Sequence, residues 1–378
     1  MSSWIPDILG EGFDQRTIEL GVDPDGEGAI VATLVRYRPT SADGVQADGP
    51  PILYVHGYTD YFFQRHIAEH LHAHGHQLYA LDLRKCGRSL REDQTPHYIS
   101  DLSLYDAELE RALAIVHEET GRDVVMMAHS TGGLIVPLWL DRRRRNGRRD
   151  GVIGEVLNSP WLDLQGSALM RTPLVSAAIE AVGRTRPMAV VPGRSLDTYG
   201  SSISAKVHGE WTYNTVSKPL AGFPIRFGWI RAVRRAQAHL HRGINVGVPT
   251  LVLRSAVSFR SNEYVPEVDS ADAVLDVGQI ARWSGCLGDR VSVVPIDGAR
   301  HDIFLSVAAV REHAFAEVDA WLDHLPAPTP PQTPAAPAVA GPAGGSPAGA
   351  DETAAVSPIV EGADSVTDGA DSVAADSR

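Results

Sequence analysis

The stretch Val124-Val125-Met126-Met127-Ala128-His129-Ser130-Thr131-Gly132-Gly133-Leu134-Ile135-Val136 decides the fold. An apolar run of strand length ends in small residues around a serine, and an apolar run of helical character follows at once. A serine held between strand and helix sits on a turn too sharp for ordinary backbone angles. Its neighbours two before and two after must therefore be nearly free of side chain. Ala128 and Gly132 occupy those places. The whole is a small-x-Ser-x-Gly elbow, which lifts a hydroxyl above the end of a sheet with a helix N-terminus directed at it.

Outward from the elbow, apolar runs of strand length recur at 29–37, 52–55, 77–83, 124–128, 152–157, 250–253 and 291–295. Helical patterns lie between several of them, at 61–74, 102–119, 134–145, 274–287 and 307–324. In the second of these, Leu102, Tyr105, Leu109, Leu113 and Val116 recur at three- and four-residue steps, the mark of one buried face. Buried strands alternating with amphipathic helices predict an α/β protein with a mostly parallel sheet flanked by helices. A ligand then belongs beyond the carboxyl ends of the strands.

A free serine hydroxyl is a poor nucleophile at neutral pH and needs a base, which in turn needs an orienting acid. Behind such an elbow the order is serine, acid, histidine. His301 stands just past the late strand 291–295, in Asp297-Gly298-Ala299-Arg300-His301-Asp302, and is the expected base. Asp269, Asp272 and Asp276 all follow the strand before it. Asp272 is preferred because it leads the apolar pair expected to open the next helix, and helix capping is the ordinary alternative for a carboxylate there. The oxyanion of an acyl-transfer intermediate needs two backbone donors. The Tyr58 amide in His56-Gly57-Tyr58-Thr59, and that of Thr131, are the candidates.

These residues resemble the α/β-hydrolase superfamily, and within it the monoacylglycerol lipase, lysophospholipase and serine aminopeptidase-like branch. The resemblance covers roughly residues 50–325. It is carried by His56-Gly57-Tyr58, Leu81-Asp82-Leu83-Arg84 with Gly87-Arg88-Ser89, Ala128-His129-Ser130-Thr131-Gly132-Gly133, Asp272-Ala273-Val274-Leu275-Asp276 and Gly298-Ala299-Arg300-His301-Asp302. It implies a serine hydrolase without cofactor or metal, acting on a small acyl ester through Ser130, Asp272 and His301, with Tyr58 and Thr131 as oxyanion donors. Lys85-Cys86 departs from the Gly-His-like pair usual in that branch. Acyl transfer, amide or peptide hydrolysis, C–C cleavage, and ligand binding without catalysis are alternatives on the same fold.

Residues 1–159 and 249–325 are expected to form the hydrolase core, and 160–248, which lack strand–helix alternation, an inserted cap. That segment carries eleven Arg and Lys against four Asp and Glu, whereas the 378-residue chain has net charge −13. Arg226, Arg231, Arg234, Arg235 and Arg242 are the candidates to draw anionic esters, or an anionic lipid surface, to the entrance. Arg231, Arg234 and Arg235 are spaced to form one helical stripe; pairing with carboxylates of the body is the alternative. Residues 326–378, rich in Pro, Ala, Gly and Asp, are expected to be a disordered tail.

The net negative charge disfavours nucleic-acid binding. Two lone cysteines, Cys86 and Cys286, indicate neither a disulfide framework nor a thiolate zinc site. With no long apolar span and no secretory leader pattern, a cytoplasmic location is expected, while the oligomeric state is left open. A rival motif, His66-Ile67-Ala68-Glu69-His70, has the H-x-x-E-H spacing of an inverted zinc peptidase, and His72, His74 and His76 follow it. In the hydrolase arrangement this helix plays a structural part.

Overall fold

The structure is a computed structural model; it describes residues 3–39, 47–165, 171–193 and 195–325, so the expected tail at 326–378 lies outside the described residues. In chain order the elements are β1 (Ile5–Pro6), β2 (Phe13–Val22), β3 (Ala29–Tyr37), β4 (Ile52–Val55), α1 (Arg65–Ala73), β5 (Leu78–Asp82), α2 (Asp106–Thr120), β6 (Val124–His129), α3 (Gly132–Arg145), β7 (Val152–Asn158), α4 (Pro173–Thr185), α5 (Asp197–Ile203), α6 (Phe227–Leu240), β8 (Thr250–Ser255), α7 (Val277–Ser284), β9 (Val291–Ile296) and α8 (Ala308–Asp323).

Among the described residues the strands form one sheet in the order β1-β2-β3-β5-β4-β6-β7-β8-β9. From β5 through β9 the pairings are parallel, and β1, β2 and β3 add an antiparallel edge. This is the α/β-hydrolase fold. The sequence reading missed β1 and β2. Only Phe13 and Ile18 of β2 are buried, so its apolar periodicity is too sparse to stand out.

Each helix covers the sheet face that its apolar stripe demands. Ile67, Ala68 and Leu71 of α1 join Phe315 and Val318 of α8 on one face. Leu109, Leu113 and Val116 of α2 pack with Leu134, Leu138 and Trp139 of α3 on the other. Truncating a fully buried leucine such as Leu109 to alanine should cost about 2–5 kcal/mol. The residues 102–105, expected within α2, form instead a 3₁₀ turn capped by the Asp101 carboxylate, which accepts the Ser103 N–H at 2.8 Å.

The direction of chain progress reverses at β4. From β4 the chain crosses to β5 on one side and then returns past it to β6 on the other, with Val55 registered against both Leu81 and Ala128. Such a reversal opens a crevice at the carboxyl ends of the strands. The loop after β4 and the elbow after β6 meet there. Above them lies a third apolar cluster, in which Tyr199 and Ile203 of α5 and Tyr213 pack on Tyr61, Phe63 and Leu305.

Candidate active site

Ser130 joins β6 to α3 with φ of 52°, in the left-handed region that a side chain rarely adopts. Its neighbours make this possible. A Cβ on Gly132 would lie 2.6 Å from the Val55 carbonyl oxygen and 2.7 Å from that of His56, so any larger residue would push α3 off β4. The Ser130 amide donates to the Asn158 carbonyl at 3.0 Å, and the Ser130 carbonyl accepts from the Trp161 amide at 2.9 Å. The elbow is thus fastened to β7 and the segment after it.

His301 follows β9 in the loop 297–302, and its Nε2 lies 3.0 Å from Ser130 Oγ. Its Nδ1 lies 3.0 Å from Asp272 Oδ2. With Nδ1–H donated to the carboxylate, Nε2 is left to accept the serine hydroxyl. The other Asp272 oxygen accepts the amides of Val274 at 2.8 Å and Leu275 at 2.7 Å, so this fully buried carboxylate has no orphaned lone-pair face.

Asp272 reaches this place by a different route from the one expected. It does not open a helix. After β8 the chain makes an excursion and returns as a bridge between Ser258 and Asp272, the Asp272 amide donating to Val257 at 3.0 Å. The helix α7 opens later, at Val277, and Asp276 caps it by accepting the Gly278 amide at 3.0 Å. Asp269 is engaged elsewhere, with Arg300 at 2.8 Å and the Tyr264 hydroxyl at 2.7 Å. Of the three carboxylates, Asp272 is the one beside the imidazole.

The amides of Tyr58 and Thr131 donate to no other described residue, and both residues border the same cavity as Ser130 and His301. That cavity has a volume of about 540 Å³ and is walled largely by apolar side chains, among them Trp161, Ile179, Leu220, Phe223 and Trp229. Tyr199 and Ile203 of α5 also line it, together with Ala273, Val274 and Leu275 beside the acid.

Two polar clusters around the site went unnoticed in the sequence. Asp302 anchors the histidine loop: Asn158 Nδ2 donates to its Oδ1 at 2.8 Å and Gln64 Nε2 to its Oδ2 at 3.1 Å. Beneath the elbow, buried Asp60 meets Lys218 Nζ at 2.8 Å and His129 Nδ1 at 3.4 Å. Burial would raise the Asp60 carboxyl, but Lys218, and then His129, hold it well below the usual carboxylate range. The only local signal for the first cluster is the adjacency of Asp302 to His301; the second joins residues too far apart in the chain to associate by motif.

The departure Lys85-Cys86 also has a structural account. Lys85 is fully buried, with Nζ 2.5 Å from Asp23 Oδ2 and 2.8 Å from Glu27 Oε2. Both acids lie in the turn between β2 and β3, the hairpin the sequence did not reveal.

The three arginines of α6 expected to form a stripe are each in an ion pair. Arg231 and Arg235 lie 2.8 Å and 3.5 Å from Glu180, whereas Arg234 lies 3.0 Å from Asp163. They do not form one free stripe. Arg226 donates to the Met188 carbonyl at 2.8 Å, and Arg242 contacts His239.

The H-x-x-E-H histidines part company. His66 Nε2 lies 2.9 Å from the Phe304 carbonyl oxygen, its ring packs at a tilt 4.3 Å from Trp211, and burial pushes its pKa down to about 4. His70 faces Asp319 instead, at 2.9 Å. Among the described residues no helix is long and apolar enough to cross a membrane.

Solved structures with the same fold include a soluble variant of monoglyceride lipase from Saccharomyces cerevisiae in complex with a substrate analogue (TM-score 0.58, 16% identity, covering 81% of this chain and 94% of that one). The monoacylglycerol lipase of Paleococcus ferrophilus is similar at TM-score 0.52 and 17% identity, covering 82% of this chain and 98% of that one. No curated relative matches. The family model described as serine aminopeptidase, S33, matches residues 50–257, more than half of the chain. The chain therefore belongs to the serine aminopeptidase S33 family of α/β hydrolases.

Proposed function

We propose that this protein hydrolyses a carboxylic ester bearing an apolar acyl chain, such as a monoacylglycerol or lysophospholipid, through an acyl-enzyme on Ser130. The observation that carries the proposal is the pair of 3.0 Å contacts linking Ser130, His301 and Asp272 at the wall of an apolar cavity. His301 takes the hydroxyl proton as Oγ attacks the ester carbonyl, and Asp272 holds the tautomer and stabilises the imidazolium. The proton then passes to the departing alcohol, and water repeats the sequence on the acyl-enzyme. The Tyr58 and Thr131 amides receive the oxyanion; one such donor is worth about 10²–10³ in kcat. Residues 160–248 act as a cap that encloses the acyl chain.

One feature favours an ester over an aminopeptidase substrate. No described Asp or Glu lines the cavity, so a free α-ammonium group would find no counter-charge there. Lys218 and Arg260 border it instead.

A series of p-nitrophenyl esters from acetate through butyrate and octanoate to laurate tests the proposal. The expected result is a kcat/KM that rises with chain length until the cavity is filled. Hydrolysis of aminoacyl anilides with no turnover of any ester would overturn it.

A further inference from the structure

We propose that His70, His74 and Asp319 form a binding site for one divalent transition-metal ion of the zinc type, on the sheet face opposite α2 and α3. His70 and His74 are four residues apart, at the last turn and C-cap of α1, so both rings project from one side of the helix. Asp319 comes to them from α8. Its Oδ2 lies 2.9 Å from His70 Nε2 and 3.6 Å from His74 Nε2, and all three candidate ligand atoms lie within 4.8 Å of one another. Zn–N and Zn–O bonds of about 2.0–2.2 Å in tetrahedral geometry require ligand atoms roughly 3.3 Å apart. The two contacts straddle that value, and the third separation, between the two imidazole nitrogens, falls within 4.8 Å.

The surroundings hold the ligands for this task. His74 Nδ1 lies 2.8 Å from the His70 carbonyl oxygen; as a donor there, it leaves the Nε2 lone pair facing Asp319. A backbone carbonyl on the far ring nitrogen is the usual support of a metal-bound histidine. The His70 ring is stacked between His74, at 4.2 Å, and Phe315, at 3.9 Å, which fixes its plane. On binding, the ion replaces the proton that His70 Nε2 now shares with the carboxylate. Imidazole and carboxylate donors suit zinc, copper or nickel better than magnesium or calcium. Only His70 of the H-x-x-E-H motif takes part, and the site lies apart from Ser130, so the ion has no place in the hydrolytic steps. Its effect is to tie α1, which follows the Tyr58 loop, to α8, which follows the His301 loop.

The test is calorimetric titration of the untagged full-length chain with Zn²⁺ alone, alongside His74→Gln, Asp319→Asn and His117→Gln variants. The expected result is one saturable site whose affinity falls at least tenfold in the first two variants and is unchanged in the third, with Tm raised by Zn²⁺ only where the site is intact. Substituted Co²⁺ should give visible absorption bands that vanish in Asp319→Asn. Absence of saturable binding, or binding that both ligand variants leave intact, would overturn the proposal. His74 is half exposed and Asp319 three-quarters buried, so either variant suffices if the other fails to fold.

Discussion

Lys218 Nζ lies 2.8 Å from Asp60 Oδ1 with both side chains buried, so a residue of 160–248 is locked ionically beneath the loop that carries Tyr58. The neighbours of Asp60 are held in the same way. The Tyr58 hydroxyl donates to the Pro224 carbonyl at 3.1 Å, Thr59 Oγ1 accepts the Phe223 amide at 3.0 Å, and the Tyr61 hydroxyl accepts the Asn214 amide at 2.8 Å. Four successive residues of the loop are therefore tied to one strap, 214–224, and the Tyr58 amide inherits its position from that strap.

Lys218→Met should lower kcat by about tenfold or more with a smaller change in KM, because the strap holds the Tyr58 amide, the proposed oxyanion donor. It should also destabilise the fold by about 3–5 kcal/mol, since it strands the Asp60 charge. Lys218→Arg should restore part of both. Steady-state kinetics with thermal melts checks this; a normal kcat in a destabilised Lys218→Met protein would confine the pair to a structural role.

Asp272→Asn should reduce kcat by about 10⁴ by favouring the wrong imidazole tautomer. Asp276→Asn should cost little beyond a weakened α7 cap, and Asp269→Asn should act through stability by freeing Arg300. Comparing the three variants at equal folded fraction distinguishes these roles. A crippled Asp276→Asn beside an active Asp272→Asn would reassign the acid.

Salt should affect neutral and anionic esters of similar size alike. Arg231, Arg234 and Arg235 of α6 are held against Glu180 and Asp163, and none of the three is among the residues lining the cavity, so their charge is not presented to a bound ester. The check is kcat/KM for both substrates across ionic strength; a selective fall for the anionic ester would show steering after all.

Glu155 should make a contribution to stability that falls as pH rises from about 5 to 8. Burial pushes its pKa up to about 8, against an ordinary value of 4.5, despite the Thr250 hydroxyl bonded to it at 2.9 Å. Between those values the folded chain holds a proton that the unfolded chain releases, so each step upward favours unfolding. Glu155→Gln should raise Tm at pH 8 and leave it nearly unchanged near pH 4.5. An equal shift at both would refute the linkage.

Much of this was legible in the chain, and for identifiable reasons. Ser130 stands out because its backbone demands small residues at fixed offsets, and His301 because it closes a strand. Asp272 was preferred by position, and its setting was misjudged: the excursion from 256 to 271 returns through pairing with Val257 and Ser258, which no local periodicity encodes. Lys218 and Asp60 were invisible because an ion pair between distant segments leaves no spacing to read. The hairpin of β2 and β3 was half hidden by polar residues, and with it the reason for a buried Lys85.

The central claim is that Ser130 is the nucleophile. Incubation of the purified chain with a fluorophosphonate, followed by peptide mass mapping, tests it most directly. The account predicts a single stoichiometric adduct on Ser130, absent from a folded Ser130→Ala protein that has lost about 10³-fold or more of its esterase activity. An adduct on another residue, or a Ser130→Ala protein that hydrolyses esters at the wild-type rate, would contradict it.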